Sequence, residues 1–149
     1  MTEYFLSVGS NIHPKKNIPA CLDLLRQEFS LTRVSSVYKT VPVGIENSPH
    51  FWNLALALKS SLSREKLNEK LRQIESRLGR IRDPKNKFAP RTIDLDILPQ
   101  SGYLKHAFIM IPLAEIAPEG RDEETGENYK KAAALLRSHA GYQRLKIKF

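Results

Sequence analysis

The chain is predicted to fold as an α+β domain with a mainly antiparallel sheet flanked by helices. Three observations carry that expectation. Apolar residues recur at helical spacing in two separate stretches. Between and beyond them lie short β-branched or strictly alternating runs. Glycine, proline and asparagine clusters punctuate the boundaries.

The elements follow in order. Tyr4 to Gly9 is a short apolar run that ends in Gly-Ser-Asn, a strand entering a turn. Apolar residues at Ile18, Cys21, Leu22, Leu25 and Phe29 define one face of a helix, with Asn17 placed to cap it. Residues 32–39 are rich in β-branched side chains and read as one strand. Val41, Pro42, Gly44 and Pro49 fall in a loop of breakers, and Phe51 to Lys59 reads as a strand between two such clusters. Ser63 caps a helix that carries Leu67, Leu71, Ile74 and Leu78 on one side and stops at Gly79. The stretch 79–92 is dense in charge and lacks an apolar period, whereas 93–98 alternates strictly and reads as a strand. Phe108 to Leu113 is an apolar run counted as a strand. Tyr129 to Ser138 is a helix, and the alternation of Leu145, Ile147 and Phe149 suggests an edge strand.

The chain has 149 residues, the length of one domain spanning 1–149, and its 41% apolar and 27% charged content is that of an ordinary globular protein. No apolar run approaches the roughly 20 residues that span a bilayer. The N-terminal residues carry an acid and no basic region, so they do not read as a signal peptide. Cys21 is the single cysteine, which excludes an internal disulfide. A cytoplasmic monomer without a membrane partner is expected. The formal charge of +8 attracts polyanions, nucleotides and nucleic acid alike. Against a nucleic-acid partner, no recognised motif of that kind is present, and the basic cluster stands beside two acids.

Those acids are Asp94 and Asp96. Two apart on a strand, they share one face, while Ile93, Leu95 and Ile97 share the other. Carboxylates about 7 Å apart repel, and a hard divalent cation relieves the repulsion. Mg²⁺ takes one or two carboxylates, several waters and phosphate oxygens. Arg80, Arg82, Lys85, Lys87 and Arg91 lie just upstream, five cations in twelve residues. Guanidinium forks match phosphate oxygens. Transfer from a nucleotide triphosphate needs such positioning and neutralisation. The same pattern also suits a solvated edge strand beside a solvated basic loop, and both readings stand at this point.

The phrase Gly79-Arg80-x-Arg82, then Phe88-Ala89-Pro90-Arg91-Thr92-Ile93-Asp94-Leu95-Asp96-Ile97-Leu98, resembles the signature of the hydroxymethyldihydropterin pyrophosphokinases. Three further phrases are similar to that family in the same order: Leu6-x-x-Gly9-Ser10-Asn11; Ser35-Ser36-x-Tyr38-x-Thr40-x-Pro42-x-Gly44 with Phe51-x-Asn53; and Pro112-Leu113-x-Glu115-Ile116-Ala117-Pro118. The resemblance covers roughly residues 5–118. It implies a ferredoxin-like α/β sandwich and transfer of pyrophosphate from ATP to 6-hydroxymethyl-7,8-dihydropterin in folate biosynthesis. Carried over, Asp94 and Asp96 would hold two Mg²⁺ ions, and Arg80 and Arg91 would neutralise charge on the transferred group. Arg82 and Glu75 would bind ATP. Thr40 and Val43 would meet the pterin through backbone groups and Asn53 through its amide, with Phe51 and Phe108 stacking on the ring. On residue type alone, Phe51 and Phe108 also suit a core, and Glu75 suits a solvated helix face. Asn53 within an apolar strand needs a partner, from the protein or from a ligand. The 80–91 loop is expected to close over bound substrates.

One departure from the family pattern lies between Leu98 and Ala107. This chain is shorter there and lacks a clear counterpart of the family's phosphate-binding histidine. The family's arginine position falls on His106, with Lys105 beside it, so these two are the expected substitutes at the ATP phosphates. A catalytically weak relative, or one with an altered pterin or nucleotide ligand, is the alternative reading.

Overall fold

In this computed structural model, residues 1–40, 51–80, 92–138, 141–147 and 149 are described. The elements are β1 (Thr2–Ser10), α1 (Pro14–Glu28), β2 (Ser30–Val34), β3 (Tyr38–Thr40), β4 (Phe51–Ser60), α2 (Arg64–Arg77), β5 (Asp94–Leu98), a 3₁₀ turn at Tyr103–Lys105, α3 (Ala107–Ile116), α4 (Tyr129–Arg137) and β6 (Tyr142–Arg144). The sheet runs β5-β1-β4-β3-β6, with β2 also on β4, and every described pairing is antiparallel. Taking β2 and β3 as one interrupted strand, this is the ferredoxin-like order, and the expected α+β sandwich is borne out.

Alternation along the strands divides the core in two. Leu6, Val8, Leu54, Leu56, Leu58, Leu95 and Ile97 face one helical layer, built from Ile18, Cys21, Leu22 and Leu25 of α1 and Leu67, Leu71 and Ile74 of α2. The opposite face, with Tyr38, Ala55 and Leu98, packs on α3 and α4 through Ile109, Met110, Leu113, Ala132 and Ala133. Leu56 and Leu71 are fully buried, and truncating either to alanine would cost about 2–5 kcal/mol.

The Ser63 cap is present, its side chain accepting from Lys66 N–H at 3.2 Å, and Gly79 ends the helix at φ 84°. Four expectations need correction. The first helix begins at Pro14, with His13 in the N-cap position; Asn17 lies in the first turn, where its amide donates to Ile12 O at 2.6 Å. Proline's fixed φ suits the first helical position. Residues 32–39 form two strands rather than one. Ala55 N–H bonds the Ser35 hydroxyl at 2.8 Å, and Ser36 N–H turns away to Glu115 Oε2 at 2.8 Å, so the ladder breaks there. Residues 108–113 are helical, not a strand. That run is apolar on every side because sheet and α4 enclose it, which erases the amphipathic period. The C-terminal strand is Tyr142–Arg144 on β3, starting three residues and ending five residues earlier than the alternation suggests. Leu145 and Phe149 pack on the core instead, and Leu145 N–H bonds Val37 O at 2.8 Å.

Helix α2 also serves the outer edge of β5. Glu75 accepts the Leu95 N–H at 2.8 Å, and Arg64 Nη2 donates to Ile97 O at 2.8 Å and Pro99 O at 2.5 Å. Among the described residues, no helix is long and apolar enough to cross a membrane.

Candidate active site

Strand register assembles the site. Gly9 of β1 lies opposite Asn53 of β4 on one side and Asp94 of β5 on the other, and Ser7 lies opposite Asp96. Asn53, Gly9 and Asp94 thus form one cross-strand row. Its outer members are about 10 Å apart, two inter-strand spacings. Alternation puts Asp94 and Asp96 on the same face as Asn53, away from Leu95 and Ile97, as expected for the pair.

Gly9 is required at the centre of that row. A Cβ there would stand 2.8 Å from Asn53 Oδ1 and 3.7 Å from a ring carbon of Phe51. Glycine therefore lets the Asn53 amide lie across β1, with Phe51 beside it. Asn53 is buried at 3% exposure, whereas Phe51 is partly open. Trp52 points to the opposite face and packs against the α1–α2 core, as its phase suggests. Ser10 Oγ donates to Thr92 O at 2.6 Å and ties the turn after β1 to the residue two before β5.

At the other end of the row, Arg80 Nη1 donates to Asp94 Oδ1 at 2.7 Å and to Glu75 Oε2 at 2.5 Å. The Arg80 side chain is only 7% exposed. Burial alone would lower its pKa, but Asp94 and Glu75 outweigh burial and raise it. Glu75 is not on a solvated helix face. Its carboxylate turns inward to Arg80 and the Leu95 amide.

The remaining expected residues fall as follows. Thr40 ends β3 opposite Phe51. Lys105 closes the 3₁₀ turn and His106 takes the N-cap position of α3, both exposed. Phe108 lies in the first turn of α3, with its ring stacked on His106 at 5.1 Å between centroids. Val43, Arg82, Arg91 and the closing loop lie outside the described residues.

Sequence reasoning missed two supporting groups. Glu115 accepts from Tyr38 OH at 2.5 Å as well as from Ser36 N–H, and so fixes β3 beside Asn53. The phrase around Glu115 marked its position but not its partner. Tyr103, Asp122 and Tyr129 hold the short segment that carries Lys105 and His106, and nothing in the sequence signalled that contact.

The comparisons with known proteins make the chain a transferase of the pyrophosphokinase class. The family described as 7,8-dihydro-6-hydroxymethylpterin-pyrophosphokinase matches residues 5–118. The 2-amino-4-hydroxy-6-hydroxymethyldihydropteridine pyrophosphokinase of Bacillus subtilis is 36% identical over 138 residues, covering 81% of each chain. The enzyme of that name from Pseudomonas aeruginosa is 34% identical over 134 residues, covering 78% of this chain and 82% of its own. The mitochondrial folate synthesis bifunctional protein of Pisum sativum is 29% identical over 139 residues, covering 83% of this chain and 27% of the longer protein. This chain belongs to the 7,8-dihydro-6-hydroxymethylpterin-pyrophosphokinase family.

Proposed function

We propose that this domain transfers the terminal pyrophosphoryl group of ATP to 6-hydroxymethyl-7,8-dihydropterin. The pterin alcohol oxygen bonds to the β-phosphorus, the bond from that phosphorus to the α-phosphate oxygen breaks, and AMP leaves with the electron pair. The alcohol proton passes to solvent. The observation that carries this reading is the row Asn53–Gly9–Asp94, in which the strand positions of an amide suited to a pterin edge and of the first carboxylate stand about 10 Å apart across β1. That spacing suits a ring held at Asn53 with its hydroxymethyl arm reaching the phosphates.

In this reading Asn53, Thr40 and Val43 hold the pterin edge while Phe51 and Phe108 bracket its ring. Arg80, Arg82 and Arg91 balance phosphate charge, with Lys105 and His106 on the ATP side and Glu75 holding Arg80 in place. Asp94 and Asp96 suit two Mg²⁺ ions. The donors are hard carboxylate oxygens, which suit a cation that keeps waters and phosphate oxygens. When bound, the ions supply charge neutralisation at those oxygens. We further propose that the protein works as a monomer and in the cytoplasm, whose reducing conditions suit a single free cysteine.

The test mixes the protein with ATP, Mg²⁺ and hydroxymethyldihydropterin and separates the products by chromatography. AMP and the pterin diphosphate should appear in equal amounts, and Asp94→Asn or Asp96→Asn should reduce them by at least a hundredfold. Binding of both substrates without AMP release would replace this reading with that of a binding relative.

A further inference from the structure

The carboxylate assigned to the metal has a cation of the protein's own against it. Arg80 Nη1 lies 2.7 Å from Asp94 Oδ1, and the Arg80 side chain is 7% exposed. The same nitrogen lies 2.5 Å from Glu75 Oε2. Glu75 is itself fixed by the Leu95 N–H, the residue next to Asp94 on β5. The guanidinium is therefore held between one carboxylate locked in the interior and one on the open face.

A divalent cation bound to Asp94 sits roughly 2 Å from a carboxylate oxygen. It would face the guanidinium at close range, where two positive charges repel strongly because little water intervenes. Both cannot use this carboxylate at full strength. We infer that Arg80 and the divalent cation compete for Asp94, and that Glu75 retains the arginine when the metal takes the carboxylate. This inference rests on the metal role proposed for Asp94 and adds a feature of the chain itself. Arg80 keeps the carboxylate neutralised and oriented, and its displacement weakens binding of free metal. The ion then binds best with nucleotide, whose phosphates give both cations a second anion. Glu75 acts here as a positioning residue rather than as a ligand of ATP.

The experiment measures Mn²⁺ binding by EPR of the free ion, without nucleotide, and makes two matched comparisons: wild type with Arg80→Met, and Glu75→Gln with Glu75→Gln/Arg80→Met. The second pair allows for misfolding of the single variant, because glutamine can still accept the Leu95 N–H and leaves no buried charge without arginine. Circular dichroism checks the fold. Removing Arg80 should tighten Mn²⁺ binding about tenfold or more in each pair, and Arg80→Lys, which keeps a cation, should stay near wild type. Adding Asp94→Asn should abolish the gain. Affinities equal within twofold in the Glu75→Gln pair would overturn the competition while leaving the proposed function intact. If Asp94→Asn has no effect on Mn²⁺ binding with ATP present, the metal is elsewhere and the functional reading itself falls.

Discussion

The Tyr103 hydroxyl donates to Asp122 Oδ1 at 2.7 Å and bridges the 3₁₀ turn before α3 to the loop before α4. The other Asp122 oxygen accepts from Thr125 N–H and Oγ1, each at 2.9 Å. The Tyr103 bond, then those from Thr125, hold the Asp122 pKa below the ordinary carboxylate value. A depressed folded-state pKa gives stability that is present above the unfolded value of about 4 and is lost as the pH falls below it. Asp122→Asn should therefore be less stable than wild type at pH 7, and the difference should shrink as the pH drops from about 4 towards 2. Urea titrations at a series of pH values test this; a constant difference would show that the carboxylate charge does not matter.

Cys21 should be inert in the native state. Burial first, then the nearby negative charge of Glu75, push its thiol up to about 12. Almost no thiolate exists at pH 8, and only the thiolate attacks. Ellman's reagent should label the protein no faster than it unfolds, and urea should release one rapid equivalent. Rapid labelling of native protein would contradict the packing of α1.

Gly9→Ala tests the cross-strand row. The new methyl group would stand 2.8 Å from Asn53 Oδ1, so the amide must move. Stability should fall by about 1–3 kcal/mol, as for overpacked sites. Pterin affinity, measured by calorimetry, should fall about tenfold or more, with ATP affinity changed much less. Equal losses for both ligands would argue against a pterin role for Asn53.

Tyr38→Phe removes a bond from a buried phenol to the Glu115 carboxylate. Burial, then that carboxylate, raise the Tyr38 pKa, so the phenol stays a donor over the working range. Losing a hydrogen bond to a charged acceptor costs about 1.5–3 kcal/mol. Chemical denaturation should show that drop with an unchanged slope. Removing Arg144, whose contact to Glu115 is 3.9 Å and largely exposed, should cost under about 1 kcal/mol.

Local periods made much of this fold legible. Leu67, Leu71 and Ile74 announce α2, and the two-residue spacing of Asp94 and Asp96 alone puts both on one sheet face. What depended on neighbours was hidden. No spacing within a single segment says that Gly9 meets both Asn53 and Asp94, because register is a relation between strands. Residues 108–113 look like a strand in sequence because a helix enclosed by sheet and helix has no polar side. The inward turn of Glu75 was invisible because its partners, Arg80 and the Leu95 amide, come from the helix end and the edge strand.

The grip of α2 on β5 has a consequence beyond the site. An unpaired strand at a sheet boundary offers donors and acceptors on which a second molecule can nucleate a growing β-stack. Here the Leu95 N–H and the Ile97 O are already taken by Glu75 and Arg64. The strand that bears the carboxylate pair is thereby shielded from aggregation by polar contacts that require no strand partner.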